Sequence, residues 1–324
     1  MSILTQLREM TVVVADTGDI NAIKKHQPQD ATTNPSLLYK AAQDSTYADL
    51  VSEAIQFGDD QADDAEARLE ATIDKLFVNF GSEILKIIPG RVSTEVDAAL
   101  SFDIDGSLAK ARQLIEMYEA VGVDRERVLI KLASTWEGLV VADQLEDEGI
   151  HCNMTLMFSL CQAVAAAKFG ATLISPFVGR IYDWHKKEQG VDDIPIEQDP
   201  GVESVREIYT YLKKFDHPVQ VMGASFRKAD QIVELAGCDL LTISPDLLEE
   251  LDGRDGELTR KLNAEDARAA EVDPIDIDEK TFRWMLNGDA MGTDKLADGI
   301  RRFDADLNKL RDVVRKQVAE AVGA

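Results

Sequence analysis

Eight short runs rich in β-branched residues, each followed by a stretch of helical periodicity, constrain this chain more than any other feature. They are Thr11–Asp16, Asp30–Asn34, Gly90–Glu95, Arg127–Ala133, Cys152–Leu156, Ala171–Val178, Pro218–Ser225 and Asp239–Ser244. Strands that are apolar almost without interruption need cover on both faces, and alternation with helices provides it around a parallel sheet. Eight such units predict an α/β fold, a closed (β/α)8 barrel of the TIM type. The alternative, an open doubly wound sheet, lacks its usual mark, since no G-x-G-x-x-G follows the first run.

The helices between the strands are read from their punctuation. Ser107–Val121 carries an apolar stripe and ends at Gly122; Thr135–Glu148 opens on a capping threonine and stops at Gly149. Pro200–Phe215 and Ser225–Ala236 are read in the same way. Two stretches exceed a minimal unit: a helical insertion over about 36–80, and an acidic, irregular segment Asp246–Thr293 ahead of an amphipathic helix over about 295–322. Neither contains its own strands, so one barrel domain spanning 1–324, with extra helices, is expected.

Composition bears mainly on partners. Sixty acidic against 35 basic side chains leave a net charge of −25, which repels phosphate backbones and argues against nucleic acid as a partner. An anionic small molecule is still admissible, because a few arginines in a cleft outweigh distant charge screened over roughly 8–10 Å. No run approaches the ~20 apolar residues of a membrane span, and Met1–Met10 lacks a signal pattern, so no membrane association and a cytoplasmic location are expected. Three cysteines in apolar surroundings read as reduced core thiols, and four histidines without metal-ligand spacing predict no metal. Two acidic patterns are set aside. Ser101–Gly106 imitates half of a calcium loop but reaches Arg112 where a glutamate is required, and Asp59–Asp64 reads as a solvated helix cap.

Active sites of parallel barrels lie at the C-terminal ends of the strands. Reading those ends gives Asp16, Asn34, Glu95, Lys131, Thr155, Ser175 and Ser225; the eighth, near Ile243 and Ser244, is less informative. Lys131 is the sharpest signal, because it interrupts Val128–Ala133, a run that otherwise demands burial. Desolvation disfavours an ammonium, and a neutral amine can attack a ketone to form an imine, an electron sink for breaking the adjacent carbon–carbon bond. The competing account is a strand-end lysine satisfied by a carboxylate. Glu95 and Asp16, on other strands, would converge on the same mouth and could divide the proton transfers. Asn34, Asn153, Thr155 and Ser175 supply neutral donors and acceptors. Arg180 and Arg227 follow the sixth and seventh strands, where barrels often bind phosphate.

The segments Asp16–Asp19 (DTGD), Ala31–Leu37 (ATTNPSL), Ile88–Asp97 (IPGRVSTEVD), Leu129–Thr135 (LIKLAST), Cys152–Ser159 (CNMTLMFS), Leu173–Ile181 (LISPFVGRI) and Val221–Arg227 (VMGASFR) resemble, in order and spacing, the motifs of the transaldolase family. The resemblance runs from about Thr5 to the C-terminal helix. It implies a class I aldolase-like (β/α)8 barrel in the pentose phosphate pathway, homodimeric and without cofactor or metal, that transfers a dihydroxyacetone unit between sugar phosphates. By the resemblance Lys131 forms the Schiff base. Glu95 handles protons through a water also held by Thr155, and Asp16 moves the proton of the C4 hydroxyl. Asn34, Asn153 and Ser175 position the three-carbon unit, and Arg180, Ser225 and Arg227 hold phosphate. Two other readings are carried alongside: a fructose 6-phosphate aldolase-type lyase using the same lysine, and a catalytically silent barrel that binds sugar phosphate.

Overall fold

In the computed structural model, which describes the backbone of residues 1–322 and side chains through residue 318, eight parallel strands close into a barrel in sequence order. They are β1 (Val12–Asp16), β2 (Asp30–Thr32), β3 (Val92–Glu95), β4 (Val128–Ala133), β5 (Cys152–Met157), β6 (Leu173–Pro176), β7 (Gln220–Gly223) and β8 (Leu240–Ile243), with β8 pairing back onto β1. The predicted (β/α)8 architecture is therefore the observed one.

Alternation along each strand explains the placement of the polar residues. Val14, Leu129, Leu173, Met222 and Leu240 point inward and form an apolar cluster inside the barrel. Their neighbours Val13, Ala15, Ile130, Ile174, Val221 and Leu241 point outward into the larger core under the helices. Two residues beyond each inward residue the side chain points inward again, so Leu129 is followed by Lys131, Leu173 by Ser175, and Leu240 by Thr242. The strands read as continuously apolar because their outer faces are packed, while the inner face turns polar one layer above the floor. Thr94, on the outer face of β3, is satisfied separately by the Tyr118 hydroxyl at 2.6 Å.

Local chemistry fixes the helix entries. Asp103 accepts from the Gly106 N–H at 3.0 Å and starts the helix Ile104–Ala120, so the calcium-loop imitation is a helix entry. Thr135 accepts from Gly138 N–H at 2.9 Å ahead of Trp136–Asp147. Asp64 caps Ala65–Leu85, the long helix of the insertion, through the Glu66 and Ala67 amides. That insertion also holds the helices Pro35–Ala41 and Ala48–Gln61.

Several boundaries differ from expectation. The expected helix over Ser225–Ala236 shrinks to Ala229–Val233, with Ser225 left-handed at φ of 61° and Lys228 extended just ahead of the helix. The segment expected to be irregular contains three helices, Pro245–Asp252, Ala264–Ala269 and Glu279–Gly288. The last helix begins earlier, at Ala290, and runs to Val322. Arg311 anchors it by reaching Glu70 on the insertion and Asp97 after β3, each at 2.8 Å. Gly299 lets the same helix approach β5, since a Cβ there would lie 2.6 Å from a Leu156 methyl. This helix lies over the C-terminal rim of the barrel.

Candidate active site

Strand register assembles the centre of the site. Glu95 on β3 is paired with Lys131 on β4, and Lys131 with Asn153 on β5, so three polar residues share one layer across adjacent strands. Lys131 and Thr155 are the fourth residues of six-residue strands; they lie inside the strands and not at their ends. The Lys131 side chain is 6% exposed, and its Nζ lies 3.2 Å from Glu95 Oε2, whose side chain is 4% exposed. Nζ also donates to the Thr33 carbonyl at 3.4 Å. The structural alternative raised for Lys131, a carboxylate partner, is thus present; it also has the geometry of a proton-transfer pair.

A cavity above this layer is lined by Asp16, Thr32, Asn34, Lys131, Thr155, Ser175, Phe177, Arg180, Met222, Ala224, Ser225, Thr242 and Phe303. Asp16 receives the Thr32 hydroxyl at 3.1 Å, and Thr32 contacts the Thr242 hydroxyl at 2.9 Å. Burial raises the Asp16 carboxyl above the ordinary carboxylate range, opposed by the Lys131 charge, the Thr32 hydrogen bond and Arg180. Burial likewise raises Glu95, with Lys131 opposing it. Two acids held toward their protonated forms beside an amine are placed to exchange protons with it or with a ligand.

The remaining predicted residues separate into three groups. Asn34 lies past β2, where its Oδ1 accepts from Leu37 N–H at 3.0 Å and caps the helix Pro35–Ala41, while the residue still lines the cavity. Asn153 is fully buried beneath the cavity; its Nδ2 donates to Ser93 Oγ at 3.0 Å and its Oδ1 accepts from Ser175. Arg227 does not line the inner cavity. It lies in an adjoining groove, paired with Asp183 at 2.8 Å, and Arg180 lines both spaces.

Arg180 makes no ion pair among the described residues; its guanidinium is held between the Phe177 and Phe303 rings, 4.9 and 5.2 Å from the centroids. Burial, with Arg302 and Arg227 nearby, lowers its pKa. Two buried polar atoms lining the cavity, Thr155 Oγ1 and Arg180 Nη1, lack a hydrogen-bond partner, and the only partner of Glu95 Oε2 among the described residues is the Lys131 ion pair. Such atoms are uncommon in folded proteins and mark where a ligand or water would bond.

Sequence reasoning missed Thr32, Thr242, Phe303 and Gln162. Inward alternation from Val14 and Leu240 could have found the two threonines. Phe303 was read only as part of an apolar helix stripe, yet its ring lies 5.8 Å from Lys131 Nζ. Gln162, fully buried, donates to the Ser134 and Leu156 carbonyls and accepts from the Phe158 and Ser159 amides. It braces the end of β5, where Leu156 takes φ of 53° and the register with β6 breaks.

Fold and site together define a class: a (β/α)8 barrel with a buried lysine–carboxylate pair beneath a cavity at the C-terminal side of its strands, where enzymes of this architecture carry their active sites. Comparison narrows it. Residues 13–314 match the family model described as Transaldolase/Fructose-6-phosphate aldolase. A "Transaldolase" of Protochlamydia amoebophila (strain UWE25) is 54% identical over 312 residues, 96% of this chain and 97% of the relative. A "Transaldolase" of Bos taurus is 55% identical over 319 residues, 98% of this chain and 95% of the relative. The chain belongs to the transaldolase/fructose-6-phosphate aldolase family, and its activity is that of a transaldolase, a transferase.

Proposed function

We propose that Lys131 is the Schiff-base lysine of a dihydroxyacetone transfer from sedoheptulose 7-phosphate or fructose 6-phosphate to glyceraldehyde 3-phosphate or erythrose 4-phosphate. The observation that carries this reading is the Lys131 Nζ and Glu95 Oε2 contact of 3.2 Å beneath a cavity flanked by Asp16 and Arg180. The amine attacks the ketose C2 carbonyl after giving up a proton, for which Glu95 is the nearest acceptor. Glu95 returns the proton to the carbinolamine hydroxyl, which leaves as water toward the unpartnered Thr155 Oγ1, and a protonated imine remains. Asp16 takes the proton of the C4 hydroxyl as the C3–C4 bond breaks, and the bonding electrons flow into the imine to give an enamine. The first aldose phosphate leaves, the second adds its carbonyl carbon, and the steps run in reverse.

Asn34 and Ser175 face the three-carbon unit, with Asn153 fixing Ser175 from below; Arg180, Ser225 and Arg227 hold phosphate. We read residues 1–324 as one barrel domain, working as a homodimer in the cytoplasm, on the strength of the family resemblance and of the single set of strands among the described residues. Transfer is favoured over release of dihydroxyacetone because both named relatives are transaldolases.

Borohydride reduction in the presence of fructose 6-phosphate, followed by peptide mass spectrometry, tests the assignment. The adduct is expected on Lys131. No adduct, or one on another lysine, refutes it, and dihydroxyacetone released as the main product without an aldehyde acceptor would make the enzyme a lyase.

A further inference from the structure

We propose that the groove between the helix Val178–Gln189 and the C-terminal helix is a phosphate-docking vestibule, in which Lys187 and Arg301 capture the sugar phosphate and pass it to Arg180 and Arg227. This rests on the reading above, that the barrel cavity handles phosphorylated sugars, and adds Lys187 and Arg301 outward of the residues proposed there to hold phosphate.

The first observation is a reversal of charge. The chain carries −25 overall, so its average surface opposes a phosphate dianion. In this groove six cationic side chains face four acids. Three of the acids are already engaged: Asp183 by Arg227, Asp298 by Lys295 and Arg302, and Asp294 by the Trp184 indole N–H at 3.0 Å. Lys187 and Arg301 are exposed and have no acid within ion-pair distance among the described residues. Their charge is available to a ligand.

The second observation is continuity with the reaction centre. Arg180 lines both the groove and the inner cavity, and its Nη1 is buried without a hydrogen-bond partner. The third is size. The inner cavity has a volume of about 70 Å³, below the ~300–1,000 Å³ of ordinary small-molecule sites, whereas the groove, at about 600 Å³, falls inside that range. A sugar phosphate therefore fits by placing its carbonyl end in the cavity and its phosphate end in the groove, where the exposed Lys187 and Arg301 line the same space as Arg180.

The experiment is the double variant Lys187→Glu, Arg301→Glu, both at exposed positions. At low salt the KM for fructose 6-phosphate is expected to rise about tenfold with kcat within about twofold, and the gap is expected to close at high salt, where screening acts within ~3 Å. Binding of inorganic phosphate, followed by the fluorescence of Trp184 in the groove, is expected to weaken in parallel. An unchanged KM at low salt together with unchanged phosphate binding overturns the proposal. Because phosphate binding is read without turnover, a failure of the groove is separable from a failure of Lys131, which the borohydride adduct reports.

Discussion

Replacing Glu95 with glutamine tests the chemistry of the site with little change in shape. The side chain is 4% exposed and its Oε2 lies 3.2 Å from Lys131 Nζ, so the amide occupies the same space but cannot take a proton. General acid–base catalysis contributes typically about 10²- to 10⁴-fold; kcat is therefore expected to fall by that factor, a barrier increase of ~3–5 kcal/mol. KM should change little, since the phosphate contacts are proposed for Arg180 and Arg227. Stability answers to two opposing effects. Burial raises the Glu95 carboxyl above 4.5, so the native state binds this proton more tightly than the unfolded state does. Its contribution to stability consequently declines as the pH climbs from the unfolded value through the folded one. At neutral pH a permanently neutral glutamine removes that cost but takes the carboxylate from the buried Lys131 amine, so the two effects oppose and the melting temperature should stay close to the parent's. Initial rates with fructose 6-phosphate and erythrose 4-phosphate, the rate of borohydride trapping, and a thermal melt give the three readouts. A variant with kcat within about threefold of the parent, or one whose lost activity is accompanied by a markedly lower melting temperature, refutes the reasoning.

Two further predictions concern the scaffold. Gly299→Ala places a Cβ 2.6 Å from Leu156 Cδ2 and 3.4 Å from Arg180 Nη1; overpacking of this kind costs about 1–3 kcal/mol and should raise the KM for phosphorylated substrates, so an unchanged melt and KM would show that the helix is not seated by this contact. At the opposite end of the strands, His151 lies 3.0 Å from Glu146 and 2.9 Å from Glu126. Burial alone would lower its pKa, but the hydrogen bonds to the two carboxylates outweigh it and the net shift is upward. The contribution of His151 to stability is thus complete below 6.5 and is lost as the pH rises through the folded value. Denaturant midpoints measured across that window should decline less steeply in His151→Gln, and an identical slope in the two proteins would count against the pair.

Local sequence determined most of the architecture. The eight apolar runs, the capping residues Thr135, Asp103 and Asp64, and the two-residue alternation that turns Lys131 inward above Leu129 are all properties of neighbours in the chain, set by backbone geometry and burial. The positions of Lys131, Glu95 and Asp16 on three strands could be read for the same reason. What the chain order could not supply was distance across the barrel. Only closure, with its particular register, sets Glu95 beside Lys131 and Asn153, joins Thr32 of β2 to Thr242 of β8, and leaves Arg227 in the outer groove while Arg180 reaches inside. The placement of Phe303 depends on how a helix far along the chain docks over the rim, through Gly299 against Leu156 and Arg311 against Glu70 and Asp97. An apolar stripe states only that a helix must be covered; which surface covers it follows from the packing of side chains that sequence proximity does not connect.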